Sequence, residues 1–186
     1  ILITSDKSYR NFEIKRGYVE NDILGGDDPY SASKASAEFV INSYFKSFLE
    51  YKKNIRIAVC RAGNVIGGGD WSNDRLIPDI MKSIYKNKKV KLRNQNSTRP
   101  WQHVLDVLNG YICLCEKVYE NTKFEGSWNF GPNSKKDINV KKLTELMISR
   151  FEYSKGYSFI NNNNFVEEKY LKLDSTKSRK MLKWKS

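Results

Sequence analysis

The chain has 186 residues, enough for one domain with a core but short for a complete two-lobed cofactor-and-substrate enzyme. Its 33 Lys and Arg against 21 Asp and Glu give a formal charge of +12, which admits a polyanionic partner, either nucleic acid or a pyrophosphate-bearing ligand. No apolar run is long enough to cross a bilayer and no basic leader opens the chain, while Cys60, Cys113 and Cys115 lack the paired spacing of a zinc site; these features predict a reduced, cytoplasmic, metal-free protein.

Ile1–Ser5 reads as the end of a buried strand that breaks into the polar turn Ser5-Asp6-Lys7, and strand ends are where α/β proteins place chemistry. Residues 10–28 form an irregular loop up to Asp27-Asp28-Pro29, which announces a helix from about Tyr30 to Tyr51. Ala37, Ile41, Tyr44 and Phe48 recur at helical spacing and predict its packed face. Ile55–Cys60 reads as a second strand, followed by Arg61-Ala62-Gly63-Asn64-Val65-Ile66 and the glycine turn 67–69.

Beyond it, residues 78–87 predict a helix, 89–92 a short strand, and 104–119 a helix presenting Val104, Val107, Leu108, Tyr111 and Cys115 on one side. Ser127–Phe130 reads as a strand, 140–150 as a helix and 161–164 as a loop. Tyr170–Leu173 reads as a strand entering a helix capped by Asp174 or Ser175. Strands alternating with helices predict a parallel α/β sheet with right-handed crossovers.

Tyr30 and Lys34 lie four apart on a helix, so both emerge from one face, and an ammonium beside a phenol favours the phenolate that a general base requires. Tyr85 with Lys89 and Tyr119 with Lys123 share that spacing but sit at helix ends without polar loops beside them, and read as solvated surface. Ser5, Asp6 and Lys7 supply a hydroxyl, a carboxyl and an amine in succession, a set that could surround a small substrate or form an ordinary turn. His103, the single histidine, stands at a helix start and reads as structural.

In this order, Thr4-Ser5-Asp6-Lys7, Tyr30-x-x-x-Lys34 and Arg61-Ala62-Gly63-Asn64-Val65 resemble the active-site half of extended short-chain dehydrogenases/reductases. Within that superfamily the CDP-glucose 4,6-dehydratases are most similar, through Gly63–Trp71, Asp74–Pro78, Arg99-Pro100-Trp101-Gln102-His103-Val104 and Trp128–Pro132. The resemblance implies a partial Rossmann-like parallel sheet with a smaller α/β substrate lobe. Residues 1–66 would belong to the NAD-binding domain and 67–186 mainly to the nucleotide-sugar lobe, with some segments returning to the sheet.

It further implies NAD as cofactor, CDP-glucose as substrate, no nucleic-acid or membrane partner, and a homodimer formed through the helix that begins at Tyr30. Ser5, Asp6, Lys7, Tyr30 and Lys34 would be catalytic. Tyr30, Lys34, Ala62 and Gly63 would face the cofactor. Asn64, Arg75, Leu76, Arg93, Arg99 and Asn129 would bind the nucleotide and diphosphate, for which the planar fork of arginine is suited.

Lys7 stands where most nucleotide-sugar 4,6-dehydratases carry a glutamate. The glycine-rich dinucleotide turn of the family is absent from the 186 residues, so most of the cofactor site is expected outside this chain, which by itself should have little activity. An epimerase, or a dehydratase for another nucleotide sugar, is the nearest alternative reading. A basic nucleic-acid-binding protein is a remote one that leaves the ordered motifs unexplained.

Overall fold

The computed structural model describes residues 1–52, 54–133, 138–160 and 170–186; the loop expected at 161–164 lies outside them. In chain order it contains β1 (Leu2–Ile3), α1 (Pro29–Tyr44), β2 (Ala58–Ala62), β3 (Val65–Ile66), α2 (Leu76–Tyr85) and β4 (Val90–Leu92). There follow β5 (Gln102–His103), α3 (Val104–Glu120), β6 (Gly126–Phe130), α4 (Val140–Arg150), β7 (Tyr157–Phe159) and α5 (Thr176–Leu182).

Every pairing between these strands is parallel, in the three sets β1-β2-β6, β3-β5 and β4-β7. The β2–β6 register places Cys60 beside Trp128 and Ala62 beside Phe130. β2 is buried along its whole length, as expected of a central parallel strand.

One core lies between this sheet and the helices α3 and α5. It joins Ala58, Cys60 and Ala62 to Tyr111, Leu114, Trp128, Phe130 and Trp184. Gly110 makes that packing possible: a Cβ there would come within 2.5 Å of the Phe130 ring, so only glycine lets α3 settle on β6. A second core, Ile80, Val90 and Leu92 with Ile84, Met147 and Tyr157, holds α2, α4, β4 and β7 together as a smaller lobe.

Two expectations are corrected. β1 is not buried: Leu2 is 38% and Ile3 60% exposed, and among the described residues β1 pairs only with β2, on one side. The face expected to pack on α1 also points outward, with Ala37 exposed, Tyr44 57% and Phe48 59% exposed. The buried face is Ser31, Ala35 and Glu38. A polar pair between Glu38 and the strand core fixes that orientation, and apolar periodicity alone could not show it.

α3 keeps Val107 and Tyr111 of its expected face in the core but is rotated so that Leu108 and Cys115 leave it. Val107, Gly110, Tyr111, Leu114 and Val118 are buried, while Leu108 is partly exposed and Cys115 exposed. The expected strand at 170–173 is reduced to single bridges, Thr98 to Tyr170 and Tyr18 to Leu173. The short strands β3, β5 and β7 escaped the sequence reading because two or three residues carry no periodicity.

Candidate active site

Asp6 opens a short 3-10 turn, residues 6–8, capped by Ser5. The Ser5 hydroxyl donates to Asp6 Oδ1 at 2.9 Å and accepts from the Lys7 amide at 3.2 Å. Its one proton is therefore committed, and Ser5 presents a lone pair rather than a donor to anything that approaches. Asp6 is only 4% exposed.

That buried carboxyl meets the second motif directly. A Cβ on Gly63 would stand 3.1 Å from Asp6 Oδ2 and 2.2 Å from Pro100 Cγ, so residue 63 must lack a side chain for the three segments to meet. Gly63 follows Ala62 at the end of β2, and parallel pairing of Val65 with Gln102 carries the next residues alongside the Arg99–Gln102 segment.

A cleft of about 310 Å³ opens at this junction. It brings together five residues singled out from sequence, Lys7, Asn64, Leu76, Arg93 and Arg99, and adds Asp74, Lys91, Asn94 and Trp101, which were not. The alternation in β4, with Val90 and Leu92 buried and Lys91 exposed, was the available signal for Lys91. Asp74 holds Arg93 at 2.9 Å. The Trp101 indole N–H is buried with no hydrogen-bond partner among the described residues.

Tyr30 and Lys34 stand on the first turns of α1, whose start packs on the 3-10 turn of Asp6. Asp28 caps the helix, accepting from the Tyr30 and Ser31 amides at 2.9 and 3.1 Å. Its carboxyl is held below the usual range by the Ser31 hydroxyl, by those amides and by the nearby Lys7. Lys34 Nζ lies 5.5 Å from the centre of the Tyr30 ring, and Tyr30 is 54% exposed. Tyr85 and Tyr119, at the two other occurrences of the spacing, are 87% and 86% exposed, outside this junction.

Two expected substrate contacts are not brought to the cleft. Asn129 is fully buried; its Oδ1 accepts from Tyr9 at 2.8 Å and its Nδ2 donates to the Tyr18 and Asp174 carbonyls. The polar side chain on inward-facing β6 is hydrogen-bonded within the core. Arg75 precedes α2, with its side chain 67% exposed and 3.9 Å from Asp70, outside the residues that line the cleft.

His103 Nδ1 accepts from the Leu105 amide and caps α3, the structural role read for it. Beneath the site, Glu38 of α1 bonds Arg61 of β2 and accepts from Thr4 Oγ1 at 2.7 Å. Burial works against the Arg61 charge, but its bonds to Glu38 and Tyr9 more than offset this and hold the guanidinium above its ordinary value. Burial pushes the Tyr9 phenol up to about 12. Among the described residues no group of His, Cys, Asp and Glu could hold a metal ion, and no helix is long and apolar enough to cross a membrane.

The model of the NAD dependent epimerase/dehydratase family matches residues 4–140. CDP-glucose 4,6-dehydratase of Salmonella typhimurium is 44% identical over 99% of the chain and 53% of its own length. A dTDP-D-glucose 4,6-dehydratase of Dictyostelium discoideum is 28% identical over 62% of the chain and 25% of its own length.

Among solved structures, the dTDP-glucose 4,6-dehydratase DesIV of Streptomyces venezuelae, with NAD and TYD bound, superposes with a TM-score of 0.83 at 17% identity, over 99% of this chain and 53% of that one. UDP-glucuronic acid 4-epimerase of Bacillus cereus, in complex with UDP-glucuronic acid and NAD, gives 0.82 at 19% identity, over 98% and 54%. These two likenesses establish a shared fold. The chain spans about half the length of the Salmonella relative.

Proposed function

The chain belongs to the NAD dependent epimerase/dehydratase family, and from that premise we propose that it forms the substrate-binding half of a cytoplasmic dehydratase converting CDP-glucose to its 4-keto-6-deoxy product. The observation that carries this reading is that the bare Gly63 packs between Asp6 and Pro100, while their chain neighbours Lys7, Asn64 and Arg99 line one cleft.

The donor set beside that cleft suits a nicotinamide dinucleotide. The Tyr30 hydroxyl and Lys34 ammonium are accessible donors for ribose hydroxyls, and the bare backbone of Gly63, next to Ala62, admits a close approach. When bound, that cofactor supplies a hydride acceptor at carbon 4 that is restored within the same turnover.

Tyr30, with Lys34 beside it, takes the proton of the sugar 4-hydroxyl as the carbonyl forms. That carbonyl acidifies the proton at carbon 5, which passes to a base as the 6-hydroxyl leaves; Lys7, which lines the cleft next in the chain to Asp6, is the candidate for that base. Asp6, held by the Ser5 hydroxyl, hands its proton to the departing 6-hydroxyl, so elimination needs no strong leaving group. Arg99, Arg93 and Asn64 grip the diphosphate and nucleotide, the arginines through charge-assisted pairs of hydrogen bonds.

A homodimer through α1 belongs to the same proposal. Its outward face carries Phe39, Val40 and Tyr44, continued by Phe48 in the π-helical turn Phe45–Leu49 that follows, and α3 carries Leu105 and Ile112, all more than half exposed.

The test is turnover. The chain joined to the first half of the Salmonella relative, and supplied with NAD, should form a 4-keto-6-deoxy sugar from CDP-glucose in preference to UDP-glucose or dTDP-glucose. Inversion at carbon 4 without loss of water would instead make it an epimerase.

A further inference from the structure

The basic charge of this chain is not evenly spread. Between Ile80 and Arg93 there are six cations, Lys82, Lys86, Lys88, Lys89, Lys91 and Arg93, and no acidic residue. The fold gathers them at the C-terminal end of α2, the turn after it, and the exposed position of β4, where they line a second cavity of about 440 Å³.

This cavity shares Asp74, Asp79, Lys91 and Arg93 with the cleft that holds Lys7 and Arg99, so the two adjoin at these four side chains. Asp74 is taken by Arg93, and Lys82 is engaged by Asn73 and the Ser72 carbonyl. The side chains of Lys86, Lys88, Lys89 and Lys91 make no hydrogen bond or ion pair among the described residues. Asp79 also lines both cavities, its carboxyl shifted upward chiefly by burial.

A solvated helix end would carry lysines for the sake of its dipole, a reason that covers Lys86 but not Lys88, Lys89 and Lys91, which lie beyond the helix. Four uncompensated ammonium groups repel one another, and the arrangement persists along a single wall that leads into the cleft.

The geometry points to an electrostatic ramp: the outer cavity attracts the diphosphate of the nucleotide sugar and delivers it into the inner cleft, accelerating capture without fixing the bound pose. This rests on the reading of the inner cleft as a nucleotide-diphosphate site. A cleft lined by one sign of charge raises on-rates by about tenfold or more, and screening abolishes the gain.

The test is stopped-flow binding of CDP to the 186-residue chain, read by the fluorescence of Trp101 in the cleft wall. Ionic strength is varied from about 0.01 M to about 0.15 M, over which screening shortens from about 30 to about 8 Å. The association rate of the unaltered chain should fall by about tenfold across that range. Replacing the three exposed lysines that lie outside the inner cleft, by K86Q, K88Q and K89Q, should lower the low-salt association rate by about three- to tenfold. Their replacement by glutamate should lower it further, and dissociation should change less than about twofold in either case.

Circular dichroism of each variant establishes that it remains folded. Equal association rates in a folded variant and the unaltered chain would overturn the ramp while leaving the cleft assignment standing. Failure of the unaltered chain to bind CDP at any ionic strength would overturn the cleft assignment, and the ramp with it.

Discussion

Glu38 and Arg61 form a two-pronged ion pair between α1 and β2, with side chains only 4% and 3% exposed. The same carboxylate accepts from Thr4, and the same guanidinium donates to the Tyr9 hydroxyl at 2.6 Å. One buried pair thus ties the helix of Tyr30 to the strand that leads to Gly63 and to the segment before Asp6. Removing one partner leaves the other buried and uncompensated, so Glu38→Gln or Arg61→Met should cost about 3–5 kcal/mol in urea unfolding. A double replacement by apolar residues should cost less than either single change.

Asn129 provides a sharper separation of structure from binding. Because its side chain answers Tyr9, Tyr18 and Asp174, Asn129→Ala should lose about 1–3 kcal/mol of stability in thermal unfolding. CDP affinity, measured by calorimetry on the folded fraction, should stay within about twofold, a change of less than about 0.4 kcal/mol.

The sequence made the parallel α/β architecture legible because long helices and β-branched runs carry strong periodicity, and α2, α3 and α4 fall close to where it places them. The cleft was legible at Lys7, Asn64, Leu76, Arg93 and Arg99 because motif order reports which strand ends and loops meet. What stayed hidden was orientation. Glu38 is a charged residue at a buried helical position, so the apolar pattern of α1 pointed to the opposite face. Asn129 and Arg75 were read from neighbouring residues, which do not report that one side chain is buried and the other stands outside the cleft lining. Lys91 and Trp101 lie on the cleft wall; the alternation of β4 could have marked Lys91, whereas Trp101, just before the two-residue β5, had no such pattern.

The cap of α1 gives a pH prediction. The Asp28 carboxyl is lowered in the folded chain, so its contribution is fully present above its unfolded value of about 3.9 and is lost as pH falls through the lower folded value. Asp28→Ala should cost about 1 kcal/mol at neutral pH. The gap between the two unfolding curves should narrow in acid below that range.

Tyr30→Phe should leave thermal unfolding unchanged, because the phenol is half-exposed and no fold contact depends on it. In the joined enzyme it should lower kcat by about 10²–10⁴ with little effect on CDP binding. An equal loss in affinity and rate would mean that residue 30 binds rather than moves a proton.

Gly63→Ala should be costly for so small a change. The added methyl meets Pro100 at 2.2 Å and crowds Asp6, so about 1–3 kcal/mol should be lost unless the Arg99–Trp101 segment retreats. Either response should weaken CDP binding, measurable by the same calorimetry.

The convergence of three separate segments on one nucleotide-sugar pocket is tested most directly by mapping amide chemical shifts as CDP-glucose is titrated into the isotope-labelled chain. Lys7, Asn64, Arg93 and Arg99 should shift together and saturate with one affinity. Shifts that avoid Lys7 and Asn64, or that saturate at unrelated concentrations in the separate segments, would contradict it.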